Sequence, residues 1–199
     1  MGRIEQALQE FQRAIEHSRV PSAQHYSNAS QALIFLGRFS EAKKMLEQWQ
    51  QKGSLTPIQT AMRYRIAFFE NDTATMERLA RSAPADDWSW VHIQMQLAVF
   101  RGEFRKLRSL SETLVKQQIR ANRMDNVASE LAWRGQVESD VGNYALARKL
   151  CRQASQASGD SSSALDYCVK ALGDAGDVTQ AEVLADRKDR LLPEDTVNQ

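Results

Sequence analysis

Gly37-Arg38-Phe39-Ser40-Glu41-Ala42 decides the reading of this chain, because its pattern returns three more times. Gly102-Glu103-Phe104-Arg105-Lys106-Leu107, Gly142-Asn143-Tyr144-Ala145-Leu146-Ala147 and Gly176-Asp177-Val178-Thr179-Gln180-Ala181 share its plan: glycine, any residue, a ring or branched side chain, two polar or variable positions, then a small or apolar one. Before and after each lies a stretch with apolar residues at i, i+3 and i+4, the mark of an amphipathic helix on either side of a tight turn. Gly37 and Gly102 stand two periods apart, and Asn71-Asp72-Thr73-Ala74-Thr75-Met76 falls at the phase of a degenerate fifth copy between them. The spacings are then 34, 31, 40 and 34 residues.

Working outward from these phases predicts helices near 3–18, 23–36, 40–52, 57–70, 73–83, 87–101, 104–120, 124–140, 144–157, 162–174 and 178–191. Pro21, Pro57, Pro84 and Pro193 all fall at predicted breaks, as a residue that removes a helix hydrogen bond must. Ser40 and Thr73 are the expected N-caps, and Gly37, Gly53, Gly102, Gly142 and Gly176 the expected left-handed helix ends. Ser158-Gly159-Asp160-Ser161-Ser162-Ser163 reads as a loop leading into a helix.

A period near 34 built from two helices resembles the tetratricopeptide repeat, and the resemblance extends to single residues. Ala42, Ala147 and Ala181 match the small residue that opens the second helix, and Ala154 a small residue further along it. Seven positions before the turn glycine, Ser30 and Gly135 match the small residue that lets the two helices approach closely. Tyr64, Met95 and Val169 depart from the pattern at that place, and Trp49 stands where a small residue is usual. Ala7-Leu8, Phe11 and Ala14-Ile15 look like the second helix of a repeat whose first helix is missing. The resemblance implies an all-α, right-handed superhelix (solenoid) of about five helix pairs plus an N-terminal half repeat. It forms one domain over 1–199: half repeat 1–21, repeats about 22–55, 56–85, 86–122, 123–159 and 160–193, and a tail 194–199.

Residues 95 to 199 resemble something narrower. Gly102 to Lys106, Ser129-Glu130-Leu131-Ala132, Gly142 to Arg148, Ala171-Leu172-Gly173-Asp174-Ala175-Gly176-Asp177 and Leu191 to Val197 are similar to repeats that follow eukaryotic-like serine/threonine kinase domains, or winged-helix DNA-binding domains, in some soil bacteria. That resemblance implies a sensory or docking half whose catalytic or DNA-binding domain lies elsewhere.

Composition agrees with a folded helical chain. Hydrophobic residues make up 42% and charged residues 26%, outside the range of disordered chains, and nine Gly with four Pro are few for hairpin-rich β folds. The net charge of +1 gives no global field to attract nucleic acid or an anionic membrane. Runs such as Ala32 to Leu36 are far shorter than the roughly 18 to 20 apolar residues that span a bilayer, and the N-terminus lacks a signal peptide's apolar segment, so a cytoplasmic chain is expected. Neither a Gly-x-Gly-x-x-Gly nor a Walker loop occurs, and the kinase signatures are missing. His17, His25 and His92 are isolated, with His92 reading as a half-buried helix residue, and Asp86-Asp87 suits a helix start better than acid–base work. Cys151 and Cys168 are too few and wrongly spaced for a zinc site or a disulfide scaffold; free thiols are expected, with a functional disulfide or redox pair as the minority alternative because their helix phases allow them to pack together. No catalytic residue, cofactor or metal is expected.

A binding site is then sought on the first helix of each pair, which lines the concave face of stacked repeats. Six positions before each turn stand Gln31, Arg65, Gln96, Gln136 and Lys170; two before it stand Phe35, Phe69, Phe100, Asp140 and Asp174. The glutamines either line up amides for an extended backbone or are simply good helix formers on a wet face, and the aromatics are either core or exposed anchors. The residues assigned to a protein-binding groove are Gln31, Phe35, Arg65, Phe69, Gln96, Phe100 and Gln136, with a peptide or protein segment as partner and an apolar-to-acidic gradient along the row. A carboxylate clamp is not expected, because Gln24, Ser27, Ser30, Gln31, Ser89, His92, Met95 and Gln96 supply neither Lys, Arg nor Asn. Basic residues gather instead at Arg101, Arg105, Lys106, Arg108, Lys116, Arg120 and Arg123, a pattern more often a solvated face than a nucleic-acid or acidic-peptide surface. Apolar residues at the ends, Ile4, Leu8 and Phe11 on one side and Leu184, Leu191 and Leu192 on the other, lead to an expectation of end-to-end self-association or an adapted terminal helix. The reading is thus a bacterial scaffold or signalling module that binds protein and does no chemistry; the alternatives are the regulatory repeats of a larger kinase or transcriptional regulator and a helical enzyme whose site carries no recognisable motif.

Overall fold

A left-handed residue followed by a helix start recurs along the whole backbone. In a computed structural model, which describes residues 2–53 and 55–191, positive φ occurs at Gly37, Asn71, Gly102, Gly142 and Gly176, the five expected turns, and also at Asn122. At each of the six, the amide one residue further on donates to the carbonyl five positions back, as Arg38 N does to Leu33 O (2.9 Å) and Asn143 N to Glu138 O (2.7 Å). This bond closes a helix end only when the residue before it adopts the left-handed conformation, open to glycine and tolerable for asparagine.

These turns separate eleven helices among the described residues: α1 Gly2–His17, α2 Ala23–Phe35, α3 Phe39–Gln51, α4 Pro57–Phe69, α5 Thr73–Ser82, α6 Trp88–Phe100, α7 Phe104–Arg120, α8 Met124–Asp140, α9 Tyr144–Ala157, α10 Ser162–Asp174 and α11 Val178–Leu191. No strand occurs among them. The uneven period has a simple cause: α5 has 10 residues, giving the short spacing, whereas α7 and α8 have 17 each, giving the long one. Three cap expectations are corrected. Arg38, two residues before Ser40, is the N-cap position of α3, and Asp72, one residue before Thr73, caps α5 by accepting from Thr75 N at 3.0 Å. Gly53 is not left-handed. Thr56 with Pro57 starts α4, and Ser22 N donates to His25 Nδ1 at 3.3 Å at the start of α2.

The chain divides into two compact units, Met1–Gln94 and Met95–Gln199. In the first, Leu8, Tyr26, Leu33, Leu46, Trp49 and Ile66 form the core, with Phe11, Ile15 and Phe39 packed against it. Trp49 is thus buried in place of the usual small residue. Leu8, expected on an exposed end patch, is also core at 1% exposure, because α2 covers it. Ile4 and Leu191 stay exposed, and Leu192 and Pro193 lie outside the described residues.

The second unit has an alanine-rich core of Ala128, Ala132, Ala154, Ala164 and Ala171 around two cysteines, so its helices approach closely. Cys151 and Cys168 form a disulfide, Cα–Cα 5.5 Å, which corrects the expectation of free thiols. The reason lies in placement: Cys151 stands six positions before the end of α9 and Cys168 six after the start of α10, and in an antiparallel pair these meet face to face. A Cβ added to Gly135 on α8 would lie 3.3 Å from Cys151 Sγ and 3.4 Å from the Ala147 carbonyl. Ala147 itself is fully buried. Ala147→Leu is expected to overpack this crossing and destabilise the protein by about 1–3 kcal/mol. A lower midpoint in urea denaturation of the oxidised protein checks it.

Candidate functional site

Residues six positions before successive turns should be neighbours on adjacent first helices, and in the first unit they are. Arg65 Nη1 on α4 donates to Gln31 Oε1 on α2 at 3.0 Å, across a separation of 34 residues. Burial lowers the pKa of the Arg65 guanidinium from its ordinary value. Its charge also acts on His92 of α6, which burial first and Arg65 second push down to about 4, leaving a neutral imidazole at physiological pH. The indole of Trp88, 46% exposed, stacks on that imidazole with centroids 5.0 Å apart. Tyr64 meets Trp90 edge to face at 4.8 Å.

The ring positions two before the turn are exposed, so these rings are not buried core. Phe35 is 67% exposed, Phe69 41% and Phe100 69%. One face of Phe69 is used by Phe39, stacked at 5.6 Å, and Phe68 touches it edge-on. Phe35 borders a cleft of about 370 Å³ between α1 and α2, walled by Ile4, Ala7, Phe11, Asn28, Gln31 and Ala32. Asn28 was missed in the sequence, since it sits at no recurrent phase; Gln24 Nε2 donates to its Oδ1 at 2.7 Å.

In the second unit the same phases do something different. Gln136 is buried, and its amide donates to Asp140 Oδ1 at 2.8 Å. Lys170 Nζ reaches Asp140 Oδ1 at 3.0 Å and Asp174 Oδ2 at 2.8 Å. Those contacts lower the Asp174 pKa, the Lys170 hydrogen bond being the main cause. Asp166 pairs with Lys188 at 2.5 Å. The acidic end of the row is therefore committed internally. Gln96 is half-buried and Phe100 exposed on the C-terminal part of α6.

The basic run on α7 is also partly spent. Arg108 Nε and Nη2 bind both carboxylate oxygens of buried Glu138 at 2.7 Å, and Lys106 lies 3.5 Å from Glu103. Among the described residues, no group of three or more His, Cys, Asp or Glu is placed to hold a metal ion, and no helix is long and apolar enough to cross a membrane.

Helix pairs joined by left-handed turns, with Arg65 on one first helix bonded to Gln31 on the first helix before it, define an all-α protein of the tetratricopeptide-like class. A similar solved structure is that of BtubC (BKLC) from P. vanneervenii, at a TM-score of 0.54 and 14% sequence identity, covering 96% of this chain and 89% of that one. No family profile and no curated protein matches the chain.

Proposed function

We propose that this chain is a non-catalytic protein-interaction module that holds a peptide or protein segment of a partner on its first-helix face. The observation that carries this reading is the Gln31–Arg65 hydrogen bond, which sets recurrent positions side by side, together with exposed aromatics at the companion phase. Exposed rings beside amide and guanidinium donors suit a segment that offers apolar side chains and backbone carbonyls. Within the first unit the segment uses Gln31, Phe35, Arg65 and Phe69; in the second, Gln96 and Phe100 play the same part. Gln136, buried against Asp140, positions its neighbours and does not touch the partner.

Affinity capture with immobilised protein tests the reading. Phe35→Ala and Phe69→Ala are each expected to weaken capture of a specific partner by about 2 kcal/mol, roughly 30-fold, with helicity unchanged by circular dichroism. Lys44→Ala, on the exposed side of α3, leaves it intact. A partner that survives both ring substitutions and is lost when the Arg101 to Arg123 basic residues are replaced overturns it. End-to-end self-association through Ile4 and Leu191, both exposed, predicts a mass that grows with concentration in light scattering.

A second, narrower reading is favoured by one coincidence: the stretch resembling the repeats of bacterial kinases and winged-helix regulators, 95 to 199, has the same limits as the second compact unit. On that reading the module is the regulatory region of a larger protein, and a kinase or winged-helix sequence in the same reading frame supports it.

A further inference from the structure

The Cys151–Cys168 disulfide is not sealed on all sides. Both cysteines are only 2% exposed, yet Cys151 forms part of the wall of a cleft of about 470 Å³ between α9, α10 and the start of α11. Cys168 is not among the residues that line it. Arg148, three positions before Cys151 on α9, and Arg152, next to it, stand on the same wall, against one carboxylate, Asp177. Arg148 donates to the Ala175 carbonyl and so holds α9 to the α10–α11 turn, while Arg152 is exposed. The cleft therefore brings solvent to the Cys151 side of the pair, with Arg152 supplying a local positive field along it.

We propose that Cys151 and Cys168 are a reversible thiol–disulfide pair, exchanged in the folded protein by small anionic thiols that enter this cleft and attack Cys151. The thiolate forms a bond to Cys151 Sγ, and the bond between the two cysteine sulfurs breaks, its electron pair leaving on Cys168 Sγ, which then takes a proton. A second thiolate attacks the reagent sulfur of the mixed disulfide and releases Cys151 as a thiolate, protonated in turn. Two thiols are oxidised to one disulfide as the protein pair gains two electrons and two protons. Attack at Cys151 leaves Cys168 as the resolving group, which recloses on Cys151 and expels the reagent thiolate unless a second thiol reacts first. The exchange is read out in packing, because α9 and α10 are joined by the bond and Gly135 brings α8 onto Cys151 Sγ.

The test compares 2-mercaptoethanesulfonate with neutral 2-mercaptoethanol on the oxidised full chain in native buffer, following free thiols by alkylation and mass. Each rate is corrected for the thiolate fraction of the reagent. Reduction is expected to rise linearly with thiol concentration and to favour the sulfonate by roughly 3- to 10-fold, a preference lost or reversed in Arg152→Glu and reduced by added salt. The reduced protein is expected to melt lower than the oxidised one by roughly 5–15 °C, as for loss of a link closing a short loop. Rates that level off at one value for both reagents would show that the bond is reached only by opening of the unit and would overturn the proposal. So would peptide mapping that finds no Cys151–Cys168 link in air-oxidised protein, or a sulfonate preference that Arg152→Glu leaves unchanged.

Discussion

Arg108→Ala is expected to destabilise the second unit by about 3 kcal/mol, more than its half-buried position on α7 suggests. The cost arises at Glu138, which is fully buried on α8. Its two oxygens accept from Arg108 Nε and Nη2 at 2.7 Å each, and Oε2 also accepts from Asn143 Nδ2 at 2.7 Å. Burial pushes the Glu138 pKa upward, and the hydrogen bonds from Arg108 and Asn143, aided by the charges of Arg108 and Arg134, outweigh it and hold it below the ordinary carboxylate range. Without Arg108 the carboxylate keeps Asn143 and the more distant Arg134, 4.0 Å away, and remains a poorly compensated buried charge. Because the native pKa is lowered, the pair's contribution is present above the unfolded carboxylate pKa and is lost as pH falls through the native one. Urea denaturation at pH 7 reads the loss directly. The paired variant Arg108→Met with Glu138→Leu should recover part of it, since the buried carboxylate is gone while buried Arg134 keeps only Glu112, 3.8 Å away. A single-variant loss under about 0.5 kcal/mol, the range of a surface pair, would show that Arg108 does not compensate Glu138.

Why the turns could be read from the sequence and the caps could not follows from one piece of geometry. A left-handed helix end accepts glycine or asparagine and little else, so the five turns announce themselves by residue type. The residue that starts the next helix is fixed by the backbone bond across that turn, not by its own side chain, so Arg38 precedes α3 although Ser40 is the better capping residue. Asn122 uses the same bond, Arg123 N to Gln118 O at 3.0 Å. It was hidden because it joins two repeats instead of two helices of one, and because the long helices on either side stretch the period.

The site was legible as a set of neighbours and not as a surface. Periodicity alone places Gln31 beside Arg65, and they hydrogen-bond. Exposure depends on what lies opposite, and no pattern in the chain says that Phe35 faces an open cleft whereas Gln136 is covered by its bonded neighbours. Lys170 reads as one more groove residue until Asp140 and Asp174 are seen on either side of it. The disulfide was within reach of the sequence, since the two cysteines are placed symmetrically about the α9–α10 connection. Counting cysteines hides that symmetry; mapping them onto antiparallel helices reveals it.

Glu130→Gln is expected to stabilise the protein at pH 8 and to change little at pH 4.5. Glu130 lies on α8 at 6% exposure, and burial raises its pKa from the ordinary 4.5 to about 7, with the Ser111 hydroxyl and then the Arg134 charge pulling the other way. Tyr167 of α10 stands close enough for the Glu130 charge to help raise the phenol pKa, after burial and Asp166. Between these two values the native state holds a proton that the unfolded chain has released, so stability falls as pH rises through the window. Above pH 7 the native protein must either hold a buried charge or pay to keep the proton. Glutamine keeps the shape and the hydrogen-bonding edge and removes the charge, so its advantage grows from near zero at pH 4.5 to at most about 3 kcal/mol at pH 8. His92, in the first unit, works in the opposite direction: with its native pKa near 4, it adds stability that is present above about 6.5 and is lost as pH falls toward 4. The wild-type profile mixes the two slopes, so the quantity to measure is the difference between Glu130→Gln and wild type in urea denaturation at pH 4.5, 6 and 8. His92 cancels from that difference. A constant offset across the three pH values would mean that Glu130 ionises in the folded protein as it does in the unfolded chain, and would overturn this expectation.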